Sequence, residues 1–205
     1  MKRVLVAAAA VLLLAACTPE SPASSSPSAG AVAETESRVD VDTPALRTLK
    51  ARAGVEPCRA GTGSSQLPAV RLPCLGGGPG VDLTTLRGPL VINLFAQWCL
   101  PCREELPVFQ SLHTKAKGKV RVLGVDYQDT KPEAALELVR ATGVTYPLLA
   151  DPAGDLAPSF RVRGLPGVVL VDEDGRVVDV EFRVFRSYAE LRTLVQQRLG
   201  VAIPA

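Results

Sequence analysis

Two cysteines three positions apart, Cys99 and Cys102, are the residues of this chain best suited to chemistry. They follow the apolar run Leu90–Phe95, which is typical of a buried central strand, and they open a segment with helical spacing of apolar residues. A helix N-terminus presents free N–H groups and a partial positive charge, which together lower the pKa of a thiol. The pattern predicts a reversible disulfide. Cys99, exposed at the tip of the helix, attacks a substrate disulfide, and Cys102, one turn further in, resolves the mixed disulfide.

The neighbours of the pair make the redox interpretation more specific. A bare pair of cysteines at this spacing also occurs in zinc sites and by chance. Here Trp98 precedes the first cysteine and Pro101 precedes the second. Proline fits the first turn of a helix, because the N–H group that it lacks has no partner there in any case. Together with the strand–helix placement, these neighbours favour redox chemistry over metal binding.

The segment from Phe95 to Pro107, FAQWCLPCREELP, resembles the active-site segment of the TlpA/ResA-like thioredoxin-like reductases, and the resemblance extends from roughly Leu83 to Val201. It implies an α/β thioredoxin-like fold, in which a central mixed β-sheet carries helices on both faces. It also implies thiol–disulfide oxidoreductase activity that uses the two cysteines alone, with no cofactor and no metal.

The same resemblance assigns two supporting positions. Glu105 coincides with an acidic residue of the family that lies near the cysteine pair and assists its proton transfers; the alternative is a solvated glutamate on a helix surface. Asn93 stands where thioredoxins carry a buried aspartate, so Glu105 would have to take that role. The segment GLPGV resembles the family's cis-proline loop and places Pro166 opposite the cysteines, although Gly167 follows this proline where the family often has threonine.

Periodicity and turn signals predict the remaining elements. The Asp172–Gly175 segment reads as a hairpin turn, and Ser187 reads as an N-cap with Glu190 as its capping-box partner. The predicted helices are 45–53, 102–117, 132–142 and one that begins after Ser187, and the predicted strands are 90–95, 120–125, 147–150, 168–171 and 177–185.

Two further cysteines, Cys58 and Cys74, precede the first core strand. In an exported protein they are expected to form a structural disulfide, which would stabilise the fold by roughly 3 kcal/mol in the chain-entropy model. Two alternatives stay open: a second redox pair, or a zinc site shared with Cys99 and Cys102. Cys58 and Cys74 lack the short spacing of a zinc knuckle, which disfavours the zinc site.

The N-terminus predicts export and a lipid anchor. A short basic segment precedes a 13-residue apolar stretch from Val4 to Ala16, and Leu14–Cys17 resembles a bacterial lipobox. We therefore expect residues 1–16 to be a lipoprotein signal peptide and Cys17 to be the lipidated residue. Residues 17–43 are rich in Ser, Pro and Ala and are expected to form a disordered tether. Residues 44–205 are expected to form the thioredoxin-like domain with an N-terminal extension.

These features predict a reductase outside the cytoplasm, anchored to the bacterial cell membrane. Its expected partners are exported Cys-containing proteins, with apocytochrome c as one candidate, and a membrane thiol carrier as the electron donor. The net charge of +2 gives no basic field for nucleic acid. The chain lacks the Pro-x-x-x-Thr-x-x-Cys segment of a related peroxidase, since Ala96 stands where that pattern needs threonine. A disulfide-forming oxidase of the same fold, and a non-enzymatic lipoprotein with a static disulfide, remain alternatives.

Overall fold

The computed structural model describes residues 39–116 and 118–205. The predicted signal peptide, Cys17 and most of the predicted tether lie outside the described residues. Within them, no helix combines the length and the apolar character needed to cross a membrane. The elements in chain order are α1 (Pro44–Ala53), β1 (Arg71–Leu72), β2 (Val81–Asp82), a 3-10 helix (Leu83–Thr85), β3 (Leu90–Phe95), α2 (Leu100–Ala116), β4 (Arg121–Tyr127), α3 (Pro132–Thr142), β5 (Leu148–Asp151), α4 (Ala157–Phe160), β6 (Gly167–Val171), β7 (Val177–Glu181) and α5 (Tyr188–Leu199).

A five-stranded mixed sheet in the order β5-β4-β3-β6-β7 forms the centre of the fold. Strands β3, β4 and β5 run parallel, whereas β6 pairs antiparallel with β3 and β7 pairs antiparallel with β6. Every residue of β3 is buried, as its mainly apolar sequence predicts for a strand covered on both faces. A separate two-stranded sheet joins β1 and β2.

Alternation along β3 divides the core between the two faces of the sheet. Val91 and Phe95 pack into one cluster with the apolar residues of α2 and α5, while Ile92 and Leu94 pack into the other with the segment that precedes β3 and with α4. Phe109 of α2 is fully buried in the first cluster. Burial of one such side chain contributes about 1.5–3 kcal/mol, so this packing fixes α2 firmly on the sheet. The predicted mixed α/β architecture is confirmed.

The predicted element boundaries lie within two residues of the observed ones, except at the end of β7. Helix α3 spans the predicted residues, and Ser187 caps α5 by accepting the Glu190 backbone N–H at 3.2 Å. The Glu190 carboxylate accepts from the backbone N–H of Arg186 and not from that of Ser187, so the expected capping box is only half formed. Helix α2 begins at Leu100, two residues before the predicted start, and β7 ends at Glu181 instead of continuing to residue 185.

Candidate active site

The two cysteines of the motif lie at the junction between β3 and α2. Strand β3 ends at Phe95 and α2 begins at Leu100, so Cys99 is the residue immediately before the first helical one. Cys99 and Cys102 form a disulfide with an S–S distance of 2.00 Å and a Cα–Cα distance of 5.3 Å. The backbone N–H of Cys102 donates to Cys99 Sγ at 3.2 Å. The sulfur therefore occupies the place of a helix cap, where a thiolate is favoured.

The exposure of the pair differs from the sequence expectation. Cys99 is only 4% exposed and Cys102 is fully buried, so the expectation that Cys99 is exposed at the tip is wrong for the disulfide form. The bond to the buried Cys102 sulfur and the hydrogen bond from the Cys102 N–H draw Cys99 Sγ against the helix start. The side chains on either side of Cys99 are open to solvent, with Trp98 at 51% and Leu100 at 70% exposed. They provide apolar contact surface beside the disulfide.

A loop after β4 holds the two residues that precede Cys99. Asp129 Oδ2 accepts the backbone N–H of Gln97 at 2.7 Å, and the Trp98 indole N–H donates to the backbone carbonyl of Gln128 at 3.1 Å. The Asp129 side chain is in turn fixed by the backbone N–H of Lys131, which donates to Oδ1 at 2.9 Å. The sequence analysis did not identify Asp129. Its signal was weak, a single acidic residue just after a strand.

Asp126, on the last part of β4, adds a second buried carboxyl close to Asp129. It is 1% exposed, and within the described residues its Oδ1 atom has no hydrogen-bond partner. Burial and the nearby carboxylate of Asp129 raise the pKa of Asp126 well above its ordinary value. Burial therefore favours the neutral form of Asp126, and of the two carboxyls it is Asp129 that accepts the Gln97 N–H.

Glu105 is buried beneath α2, on the same side of the helix as Cys102. It is 1% exposed, Oε1 accepts from Asn93 Nδ2 at 3.0 Å, and Oε2 accepts the backbone N–H of Phe185 at 3.3 Å. The Tyr146 hydroxyl extends this series of hydrogen bonds by donating to Asn93 Oδ1 at 3.2 Å. Burial raises the pKa of Glu105 to about 8, although the two hydrogen bonds oppose the shift. The solvated-helix alternative for Glu105 is therefore wrong.

This environment also changes the electrostatic role expected of the acidic pair after Cys102. By sequence alone, Glu104 and Glu105 are two acidic residues near the helix start, whose negative charges would disfavour the thiolate. Because its pKa is about 8, Glu105 is mostly neutral at pH 7. Only Glu104, which is exposed, remains as a charge from that pair.

The proline loop lies at the same end of the sheet as the disulfide. Strand β6 begins at Gly167, which pairs with Leu94, the residue before the end of β3. Pro166 therefore sits next to the point where the chain leaves β3 toward Cys99. The Leu165–Pro166 peptide bond is cis.

The second pair of cysteines is remote in sequence from the first and is also bonded. Cys58 and Cys74 form a disulfide with a Cα–Cα distance of 6.0 Å, and both are buried. Cys74 forms an isolated antiparallel bridge with Leu149 of β5, which is an edge strand of the central sheet. The bond therefore ties the segment before β1 to the edge of the central sheet.

Residues 64–180 match the model of the AhpC/TSA family, and this range contains the proline loop, Glu105, Asp126, Asp129 and three of the four cysteines of the domain. The chain belongs to the AhpC/TSA family. The expectation drawn from the motif is thereby confirmed at the level of family and fold.

Named relatives of this AhpC/TSA chain are thiol–disulfide proteins. It is 33% identical over 102 residues to the thiol:disulfide interchange protein CycY of Rhizobium leguminosarum bv. viciae, covering 49% of this chain and 53% of that protein. It is 32% identical over 104 residues to the thiol-disulfide oxidoreductase ResA of Bacillus anthracis, covering 50% of this chain and 60% of that protein. The match thus spans little more than half the length of these two relatives.

A solved structure supports the fold of the AhpC/TSA chain independently. The uncharacterized thioredoxin-like protein from Porphyromonas gingivalis is 27% identical and superimposes with a TM-score of 0.55. The alignment covers 67% of this chain and 94% of that one. The fold is therefore thioredoxin-like.

Proposed function

We propose that the protein is a thiol–disulfide oxidoreductase that reduces disulfides of exported proteins through Cys99 and Cys102. The observation that carries this proposal is the Cys99–Cys102 disulfide at the N-terminus of α2, with the Cys102 N–H directed at Cys99 Sγ. That arrangement favours a thiolate on the first cysteine and keeps the second cysteine within bonding distance of it.

The reaction consists of two thiol–disulfide exchanges. In the reduced protein, the Cys99 thiolate attacks one sulfur of a substrate disulfide; a bond forms between the two sulfurs, and the other substrate sulfur leaves as a thiolate that takes up a proton. Cys102 then loses its proton and attacks Cys99 Sγ, which releases the second substrate thiolate and forms the Cys99–Cys102 disulfide. The substrate gains two electrons and the protein loses two.

We infer that Glu105 accepts the Cys102 proton in the second exchange, through the minor fraction of its carboxyl that is ionised at pH 7. It lies three residues after Cys102, and residues with this spacing are neighbours on a helix surface. With a pKa of about 8, its carboxyl can exchange a proton with a thiol near neutral pH. The proposed positioning residues, which take no part in proton transfer, are Trp98, Pro101 and Pro166.

The cellular setting is part of the same proposal. Lipidated Cys17 anchors the protein on the outer side of the cell membrane, and residues 17–43 link the anchor to the domain that begins at residue 44. A membrane thiol carrier re-reduces the Cys99–Cys102 disulfide. The cysteines of apocytochrome c are one candidate substrate, since the motif of this chain resembles that of reductases with this role.

Trapping of a mixed disulfide tests the proposal. In Cys102→Ser the first exchange proceeds and the second cannot, so a substrate protein should stay covalently bound to Cys99 until a reductant is added. In Cys99→Ser no adduct should form. Non-reducing gels of both variants, expressed in their native host, provide the measurement. Adducts on Cys99→Ser alone would mean that the roles of the two cysteines are reversed.

One observation favours the alternative of a static disulfide, namely the 4% exposure of Cys99. If that alternative holds, neither variant will trap a substrate, and the purified protein will show no reductase activity toward a model disulfide. The oxidase of the same fold is distinguished by the reduction potential of the Cys99–Cys102 pair, which must be high for an oxidase and low for a reductase.

A further inference from the structure

A buried lysine lies beside the second disulfide. Lys50 of α1 is only 8% exposed; its Nζ atom lies 2.9 Å from Cys74 Sγ and donates to the backbone carbonyl of Gly77 at 2.7 Å. Burial lowers the pKa of Lys50, and the Asp42 carboxylate partly opposes this shift. Burying an ammonium group is costly unless its partners are good acceptors. A disulfide sulfur is a weak acceptor, whereas a thiolate at the same place would be a strong one.

The Cys58 sulfur lies beside a hydrogen-bond acceptor, whereas the Cys74 sulfur lies beside a donor. Cys58 Sγ lies 3.2 Å from the backbone carbonyl oxygen of Leu148. In the disulfide this sulfur carries no hydrogen, and the carbonyl accepts instead from the backbone N–H of Leu75 at 2.9 Å. In the reduced protein the Cys58 thiol can donate to that oxygen, and the same oxygen disfavours a thiolate on Cys58. The surroundings of the two sulfurs therefore suit a Cys58 thiol and a Cys74 thiolate.

Access to the bond is also asymmetric. Cys58 lines two cavities, of about 340 Å³ and about 260 Å³, and Cys74 lines neither of these two. Lys50 and Arg47 border the smaller cavity together with Cys58. A reagent that enters either cavity meets Cys58 first, and its attack there expels the sulfur that lies next to Lys50.

We propose that Cys58–Cys74 is a second redox-active disulfide, opened by an external dithiol through attack on Cys58, with Cys74 leaving as a thiolate stabilised by Lys50. A thiolate of the dithiol bonds to Cys58 Sγ, and the electron pair of the Cys58–Cys74 bond goes to Cys74. The second thiol of the dithiol loses its proton and attacks its partner sulfur in the mixed disulfide. This step releases Cys58, which takes up a proton. The pair gains two electrons and the dithiol is oxidised to a disulfide.

The test uses the Cys99→Ser/Cys102→Ser protein, in which only this disulfide remains in the domain, so it does not depend on the proposed function. The protein is equilibrated with dithiothreitol at a series of reduced-to-oxidised ratios, and free thiols are counted by alkylation and mass spectrometry. Replacing Lys50 by Met should lower the equilibrium constant for reduction at least about tenfold, equivalent to about 30 mV for a two-electron couple. Lys50→Arg, which keeps the charge, should recover most of this loss.

Arg47→Met is the matched control, because Arg47 lies one turn earlier on α1, borders the same cavity and is an exposed partner of Asp42. It should leave the equilibrium constant unchanged. A second measurement avoids the lysine variants: brief treatment with the monothiol 2-mercaptoethanol, acid quenching and peptide mapping should find the reagent on Cys58, because a monothiol cannot resolve its own mixed disulfide intramolecularly. The proposal is overturned if the adduct is on Cys74, if Lys50→Met has no effect, or if the bond opens only when denaturant unfolds the protein. The last result would assign Cys58–Cys74 the purely structural role expected from the sequence.

Discussion

Replacing Glu105 by Gln should make the stability of the oxidised protein less dependent on pH. The carboxyl group is 1% exposed and receives one hydrogen bond from Asn93 and one from the Phe185 backbone N–H. Glutamine has nearly the same size and retains one of the two acceptor oxygens, but it does not ionise. Any cost from the changed hydrogen bonds is the same at every pH, so the pH dependence isolates the ionisation of Glu105.

The sign and size of the effect follow from the pKa of Glu105, which folding raises from 4.5 to about 8. Below pH 4.5 the carboxyl is neutral in both the folded and unfolded states and costs nothing. Between pH 4.5 and 8 the unfolded state gives up its proton while the folded state keeps it, so the free energy of unfolding falls as pH rises. The full difference corresponds to about 5 kcal/mol, of which about 3 kcal/mol is reached at pH 7.

Urea unfolding at pH 5, 6, 7 and 7.5, followed by circular dichroism, measures this effect. The free energy of unfolding of Glu105→Gln minus that of the wild type should increase by about 1 kcal/mol per pH unit over this range. Glu104→Gln is the matched control, since Glu104 is the adjacent residue and is exposed, and its difference from the wild type is the baseline against which that of Glu105→Gln is compared. A flat difference for Glu105→Gln would refute the assignment of a buried, neutral carboxyl.

Two further variants test the lipid anchor and the role of Asp129. Cys17→Ser should move the protein from the membrane fraction to the soluble extracytoplasmic fraction, and its retention on the membrane would contradict the lipid anchor. Asp129→Asn should lower the free energy of unfolding by about 1–3 kcal/mol, because an amide cannot accept both the Gln97 and the Lys131 N–H groups. It should also slow the reduction of a model disulfide such as insulin, since the residues before Cys99 lose an anchor. Unchanged stability and rate would argue against a positioning role for Asp129.

The parts of the fold that could be predicted from the sequence are those that local patterns determine. The mainly apolar sequence of β3 and the apolar spacing of α2 each predict an element by themselves. The segment that covers the opposite face of the sheet shows no such pattern. Its strands β1 and β2 have two residues each, and their Leu72 and Val81 side chains pack in one cluster with residues of the central sheet. No periodicity can be read from two residues.

The candidate site likewise has residues that the local sequence predicts and contacts that only tertiary packing determines. The identity and order of Cys99, Cys102, Trp98 and Pro101 are local properties, and the sequence contains them all. The burial of Glu105 depends on the backbone at Phe185, which is 80 residues away along the chain. Likewise, Asp129 matters because the chain after β4 passes the residues before Cys99. Such contacts arise only from the packing of distant elements, so composition and spacing do not reveal them.

The ionisation of Glu105 connects its burial to the redox behaviour of the dithiol. Below pH 8 the neutral carboxyl leaves the attraction of the α2 N-terminus for a thiolate largely unopposed by Glu105. Once Glu105 ionises, its charge and that of a thiolate on Cys102 disfavour each other, so the two groups release their protons as a coupled pair. Because a less stable thiolate makes the disulfide harder to reduce, ionisation of Glu105 should lower the reduction potential below that of the Glu105→Gln variant above pH 8.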